Sequence, residues 1–279
     1  MYIYLDKLNN DFQLIVSDLD GTLLDDNKEI SPNTFQFLDY LHKQGLIIVF
    51  ATARAYLSAQ QIAHHFKFNI PLIVHNGAQI MSSHEQNLFF ERRIPLDLAR
   101  CLITEIKKEG LRFRIYSDSQ LFVEEMDQIN HEYVRMNQIP YEVQSELEKN
   151  LIHAPHMIVI NESEEKLSYF MKKYHALSHH FSYTKSESTS LEFLPKGISK
   201  GYSLKLLCRE YAIPCHKVIA FGNNFNDLSM LTTSGLGIAM SNSPLLVQQN
   251  ADRITGHNHD EGVLHMLQKV FLPKKVLSV

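Results

Sequence analysis

The stretch Leu14-Ile15-Val16-Ser17-Asp18-Leu19-Asp20-Gly21-Thr22-Leu23-Leu24 sets two carboxylates two residues apart where a short apolar run meets a glycine. A strand projects residues i and i+2 to the same side, so a strand ending at Ser17 lets Asp18 and Asp20 converge on one ligand. That pair suits phosphoryl transfer. One carboxylate can take the phosphoryl group as an aspartyl-phosphate, while the other protonates the departing alkoxide and then activates water. Both anions repel a phosphate dianion, so a divalent cation and a lysine are required nearby. Taken alone, Asp-x-Asp-Gly is equally a solvated turn, and residues further along the chain decide between the two.

The rest of the machinery is present and in order. A second apolar run, Leu46 to Ala51, ends in Thr52-Ala53-Arg54, offering a hydroxyl at a strand end. Pro195-Lys196-Gly197-Ile198-Ser199-Lys200-Gly201 opens a helix-like segment with two lysines, and Val218 to Phe221 leads into Gly222-Asn223-Asn224-Phe225-Asn226-Asp227. Singly these are weak: a threonine at a strand end also reads as a cap, and lysines mostly decorate solvated surfaces.

In this order and spacing the chain resembles the haloacid dehalogenase-like phosphatases, in their Cof-type branch with a large cap inserted after the third core strand. The resemblance covers essentially the whole chain. It implies that Asp18 is the nucleophile and Asp20 the general acid/base, whose carbonyl also ligates Mg2+. It further implies that Leu19, Thr52, Arg54, Lys200 and Asn226 bind substrate or phosphate, and that Asp18, Asp20, Asn223 and Asp227 serve the metal. Lys196 is the rival to Lys200, disfavoured by the family spacing and the following Gly201. At one position the chain departs from the family, which has Asp where this sequence has Asn223. An amide oxygen can still coordinate Mg2+, a cation of oxygen ligands, but brings no charge.

The expected activity is a Mg2+-dependent phosphatase of small phosphorylated metabolites, sugar phosphates or similar monoesters. A sugar phosphotransferase or mutase, and a phosphate-ester binding protein impaired through Asn223, are the alternatives. Composition fits such an enzyme: 279 residues with 44% hydrophobic content can bury a sizeable core, and 27 basic against 31 acidic residues leave a net charge of -4 with no long basic run. Nucleic acid is not an expected partner. No apolar stretch approaches the ~20 residues of a membrane span, and Met1 to Asn10 is too polar for a signal peptide, so the expected address is the cytoplasm. Cys101, Cys208 and Cys215 read as reduced thiols, with Cys101 and Cys208 expected to be buried. Among the 15 histidines, His257, His259 and the pair His153 and His156 read as solvated loop residues.

Alternating apolar runs and helical segments predict an α/β fold, with a Rossmann-like parallel-sheet core formed by residues 1–81 and 195–279. Ser31 and Pro32 start a helix that stops at Gly45, with Phe35, Leu38 and Leu41 as its apolar stripe. Residues 82–194, where strands neighbour strands, form the expected α+β cap, with one sheet face open and Arg112, Arg114 and Tyr116 as candidate substrate contacts.

Overall fold

The computed structural model describes residues 11–85 and 87–272; the segment 1–10, on which the signal-peptide reading falls, lies outside them. The chain divides into two compact units, residues 1–50 with 205–279, and residues 51–204.

The first unit is built on five parallel strands, in the order Arg253–Ile254, Leu236–Ala239, Val218–Gly222, Leu14–Ser17 and Ile47–Ala51. The central strands are apolar but for Ser17 because parallel strands are covered on both faces: every residue of 14–17 and 218–222 is buried. Strand 14–17 pairs in register with 218–222, Ser17 opposite Phe221, so the two carry their loops to one end of the sheet. The helix Pro32–Lys43 begins where expected, with the Ser31 hydroxyl accepting from Thr34 N at 3.1 Å. Its buried stripe is Thr34, Phe37, Leu38 and Leu41, so Phe37 takes the place expected for Phe35. The helix Gly262–Phe271 buries Val263, Leu264, Met266, Leu267 and Phe271.

The second unit holds an antiparallel run, Pro71–Val74, Gln79–Ser82 and Leu88–Glu91, and a six-stranded mixed sheet. That sheet has the order Phe181–Thr184, Ser190–Pro195, Met157–Asn161, Phe113–Ser117, Gln120–Val123, Tyr141–Val143, antiparallel except for its last pair. On one face Phe113, Ile115, Ile158, Ile160, Leu191 and Phe193 pack against Leu102, Ile103 and Ile106 of the helix Leu96–Lys108 and against Leu167 and Phe170 of Glu164–Lys173. The other face is not open: Tyr116, Leu121, Val123, Met157, Val159 and Leu194 form a second buried cluster, joined by Tyr133 and Val134 of the helix Gln128–Asn137. Among the described residues no helix is long and apolar enough to cross a membrane.

Candidate active site

Asp18 continues the strand 14–17, its N–H donating to the Phe221 carbonyl at 3.0 Å, and is 5% exposed. The chain then turns sharply around Leu19, whose carbonyl accepts from the N–H groups of Thr22, Leu23 and Leu24 at 2.9–3.2 Å. Gly21 is required in this turn. It has φ +75°, and a Cβ there would lie 2.4 Å from Asn223 Nδ2. Asn223 therefore sits against the loop that carries both aspartates.

One end of the Asn223 amide faces Asp18 Oδ2 at 3.2 Å, the Asp20 carbonyl at 3.1 Å and the Thr22 hydroxyl at 3.1 Å. With Nδ2 at that end the amide donates to all three. With Oδ1 there it accepts from Thr22 and completes a group of oxygens of the hard, uncharged and anionic kinds that Mg2+ takes. The donor set fits a divalent cation. Asp227 Oδ2 accepts from the N–H groups of Asn223 (2.8 Å) and Asn224 (3.0 Å), closing a capping box over 224–227. It is fully buried, and a Cβ on Gly222 would meet its side chain at 2.4 Å. Asp227 thus holds the backbone that presents Asn223. Asn226, 7% exposed, lies in the same short 3-10 turn.

Asp20 is more open. Its Oδ1 pairs with Lys28 Nζ at 2.9 Å, and its side chain is 36% exposed. Sequence spacing gave no sign of Lys28, which stands in the polar run Asp25-Asp26-Asn27-Lys28-Glu29; nor did it mark Thr22. Asn258, between His257 and His259, donates from Nδ2 to the Leu24 carbonyl at 2.9 Å and so ties that segment to this loop.

Thr52, Arg54 and Lys200 belong to the second unit. Thr52 is 1% exposed; its Oγ1 accepts from Arg54 N at 3.1 Å, its N–H donates to Ile73 O at 2.8 Å, and its carbonyl accepts from Asn76 N at 3.0 Å. The Arg54 guanidinium donates to Ser58 Oγ at 3.1 Å. Burial separates the two lysines of the 195–201 segment: Lys200 is fully buried and Lys196 is exposed. Lys200 is set beside the Asn76-Gly77 turn by a backbone approach that only glycine permits. A Cβ on Gly77 would fall 2.3 Å from the Ser199 carbonyl oxygen, and the Ser203 hydroxyl donates to the Gly77 carbonyl at 2.6 Å.

Close to that turn lies a buried carboxylate that sequence reading missed. Glu192 accepts from Asn76 Nδ2 and from the Ser186 hydroxyl, and burial pushes it up to about 7 despite those two bonds and the nearby Lys200 cation. His75, at φ 48°, has neither ring nitrogen hydrogen-bonded among the described residues and stacks on His156, centroids 4.9 Å apart and planes within 5°. Burial first, then the neighbouring His156 and Arg93, holds His75 well below the usual histidine range. His156 is not a solvated loop residue: it is fully buried, with Nε2 2.7 Å from Glu91 Oε1. Arg112 pairs with Asp127 at 2.7 Å. Arg114 donates to Asn130 at 2.8 Å and lies 3.9 Å over the Tyr133 ring, and the Tyr116 hydroxyl donates to that of Tyr133 at 2.8 Å. All three are tied to the helix Gln128–Asn137 or its capping residue Asp127. Of the cysteines, Cys208 is buried as expected, whereas Cys101 is exposed.

A parallel α/β sheet with paired aspartates at the end of a central strand, opposed by an asparagine-rich loop from the next strand, defines a phosphoryl-transfer hydrolase. The chain belongs to the haloacid dehalogenase-like hydrolases, the sequence pattern of that family matching residues 15–267. Within the family it is a phosphatase of the Cof-type branch. It is 28% identical over 271 residues to a 5-amino-6-(5-phospho-D-ribitylamino)uracil phosphatase of Bacillus subtilis, YitU, covering 92% of this chain and 97% of that one. Two solved structures share the fold. A haloacid dehalogenase-like hydrolase from Bacteroides thetaiotaomicron is 26% identical, with TM-score 0.82 over 93% of this chain and all of that one. TM0651 from Thermotoga maritima is 29% identical, with TM-score 0.79 over 92% and 97%.

Proposed function

We propose that this phosphatase is Mg2+-dependent and hydrolyses small phosphorylated metabolites through an aspartyl-phosphate on Asp18. The observation that carries the reading is the convergence of Asp18 Oδ2, the Asp20 carbonyl and the Asn223 amide within 3.1–3.2 Å. In the first step an Asp18 oxygen bonds to phosphorus as the bond to the leaving oxygen breaks, and that oxygen takes the proton of Asp20. In the second, water attacks the phosphorus, its proton passes to Asp20, and phosphate leaves as Asp18 is regenerated. Mg2+, held by Asp18, the Asp20 carbonyl and Asn223 with Asp227 behind them, would supply charge neutralisation to the phosphoryl group when bound. Thr52, Arg54, Lys200, Asn226 and the backbone at Leu19 are the proposed phosphate-binding groups, and residues 82–194 the proposed specificity cap of a core formed by 1–81 and 195–279. The default address is the cytoplasm.

The test is a panel of phosphate monoesters, with ribityl phosphates included on the strength of the Bacillus subtilis relative's name, assayed in Mg2+ and in EDTA. Phosphate release that needs Mg2+ is the expected result. Transfer to an added sugar phosphate in preference to water would replace this reading with a phosphotransferase.

A further inference from the structure

We propose that Lys28 is a positioning residue for Asp20, holding its carboxyl group in the orientation from which it serves the leaving group. This rests on Asp20 being the acid/base of the proposed phosphatase. The observation is a cation 2.9 Å from Asp20 Oδ1, presented by a loop whose geometry is built for it. Lys28 has φ 66°, the left-handed region that a residue with a Cβ rarely enters. The loop holds it there. Asp25 Oδ1 accepts from the N–H groups of Asn27 (2.9 Å) and Glu29 (3.0 Å), the Lys28 N–H donates to the Asp25 carbonyl at 3.1 Å, and Asp25 N donates to Glu29 O at 2.9 Å. Asn258 fastens the start of the loop at Leu24. Strain kept at one lysine, in a turn tied by this many bonds, marks a place where the position of the side chain matters.

The chemistry gives that position a use. Asp20 is the more exposed of the two aspartates, and an exposed carboxylate samples several rotamers. A cation on Oδ1 selects one of them and lies beside the carboxyl group that gains charge as it gives up its proton. Both effects matter for leaving groups that need a proton and little for those that do not. An exposed pair is a modest anchor, so the expected effect is a few-fold one that depends on the substrate.

The experiment compares Lys28→Met and Lys28→Arg on phenyl phosphate and p-nitrophenyl phosphate. The second has the better leaving group. Lys28→Met should lower kcat on phenyl phosphate by roughly five-fold with KM little changed, against less than about two-fold on p-nitrophenyl phosphate, and Lys28→Arg should recover most of the loss. Lys43→Met, which breaks the unrelated surface pair with Asp39, should leave both rates as they are. Independently of turnover, the Asp20 carboxyl carbon resonance at one fixed pH should move in Lys28→Met. Equal losses on the two esters, no loss at all, failure of arginine to rescue, or an unmoved Asp20 resonance each overturns the proposal. A moved resonance in a protein inert toward every ester supports the pairing and overturns the phosphatase reading instead.

Discussion

The Asn223 amide and the Asp18 carboxylate stand 3.2 Å apart, with a neutral group where a second carboxylate would repel the first. Asn223→Asp puts two like charges at that distance, on the order of 2 kcal/mol of destabilisation after solvent screening. In EDTA the variant should melt below the wild type. Titration with Mg2+ should raise its melting temperature more steeply and at lower concentration than the wild type's. Superimposable Mg2+ titrations of the two proteins would show that the missing charge does not govern metal binding.

Asp18→Asn keeps the volume of the side chain at a 5% exposed position and removes its nucleophilicity. Turnover should fall by roughly 10^3-fold or more, while urea unfolding should shift by less than about 1 kcal/mol. A rate near that of the wild type on any good substrate would exclude the covalent role of Asp18.

Lys200→Ala and Lys196→Ala separate the two lysines of one short segment. The first removes a fully buried cation, the second an exposed one. If Lys200 neutralises the phosphoryl group, its loss should cost about 3 kcal/mol in kcat/KM, and Lys196→Ala less than about 0.5 kcal/mol. The reverse ranking would mean that the motif is read at the wrong lysine.

Glu192 predicts a loss of stability toward alkaline pH. Its folded value of about 7 lies above its ordinary 4.5, so its contribution is fully present below pH 4.5 and is lost as pH rises through 7, on the order of 3 kcal/mol in total. His75, held low, works in the opposite sense, its contribution being lost as pH falls below the ordinary histidine value of 6.5. Glu192→Gln should therefore gain on the wild type between pH 5 and 8 in chemical denaturation and match it at pH 4. A constant difference across that range would place the carboxylate's cost elsewhere.

The sequence was legible where one physical signal dominated. Runs such as Leu14 to Val16 and Val218 to Phe221 are apolar throughout because both their faces are covered, and the helix Pro32–Lys43 opens on the cap Ser31 and the following Pro32. Elements went unread where the signal is weak or belongs to tertiary packing. Gln79–Ser82 has no alternating pattern of its own and is a strand through pairing with 71–74 and 88–91. The helix Leu245–Gln249 has only five residues, too few for a periodicity. Phe35 and Phe37 are both plausible on the stripe of one helix, and only packing makes Phe37 the buried one. In the site, motif order located Asp18, Asp20 and the 222–227 loop, whose residues are neighbours across adjacent strands. Lys28, Glu192 and the His75–His156 stack escaped because their partners lie at separations that no local pattern encodes.

Gly77 and Ser199, with no room for a methyl group between them, also bear on how such a chain can be remodelled. The chain leaves at residue 78 and returns at residue 198 through one doorway about a backbone wide. Cutting at both posts and joining them directly, or splicing in a different segment, asks for almost no spanning linker and little loop-closure entropy. A replacement segment that keeps the pairing of Gln79–Ser82 with Pro71–Val74 can therefore enter and leave at the same two posts, provided that glycine is retained at the threshold.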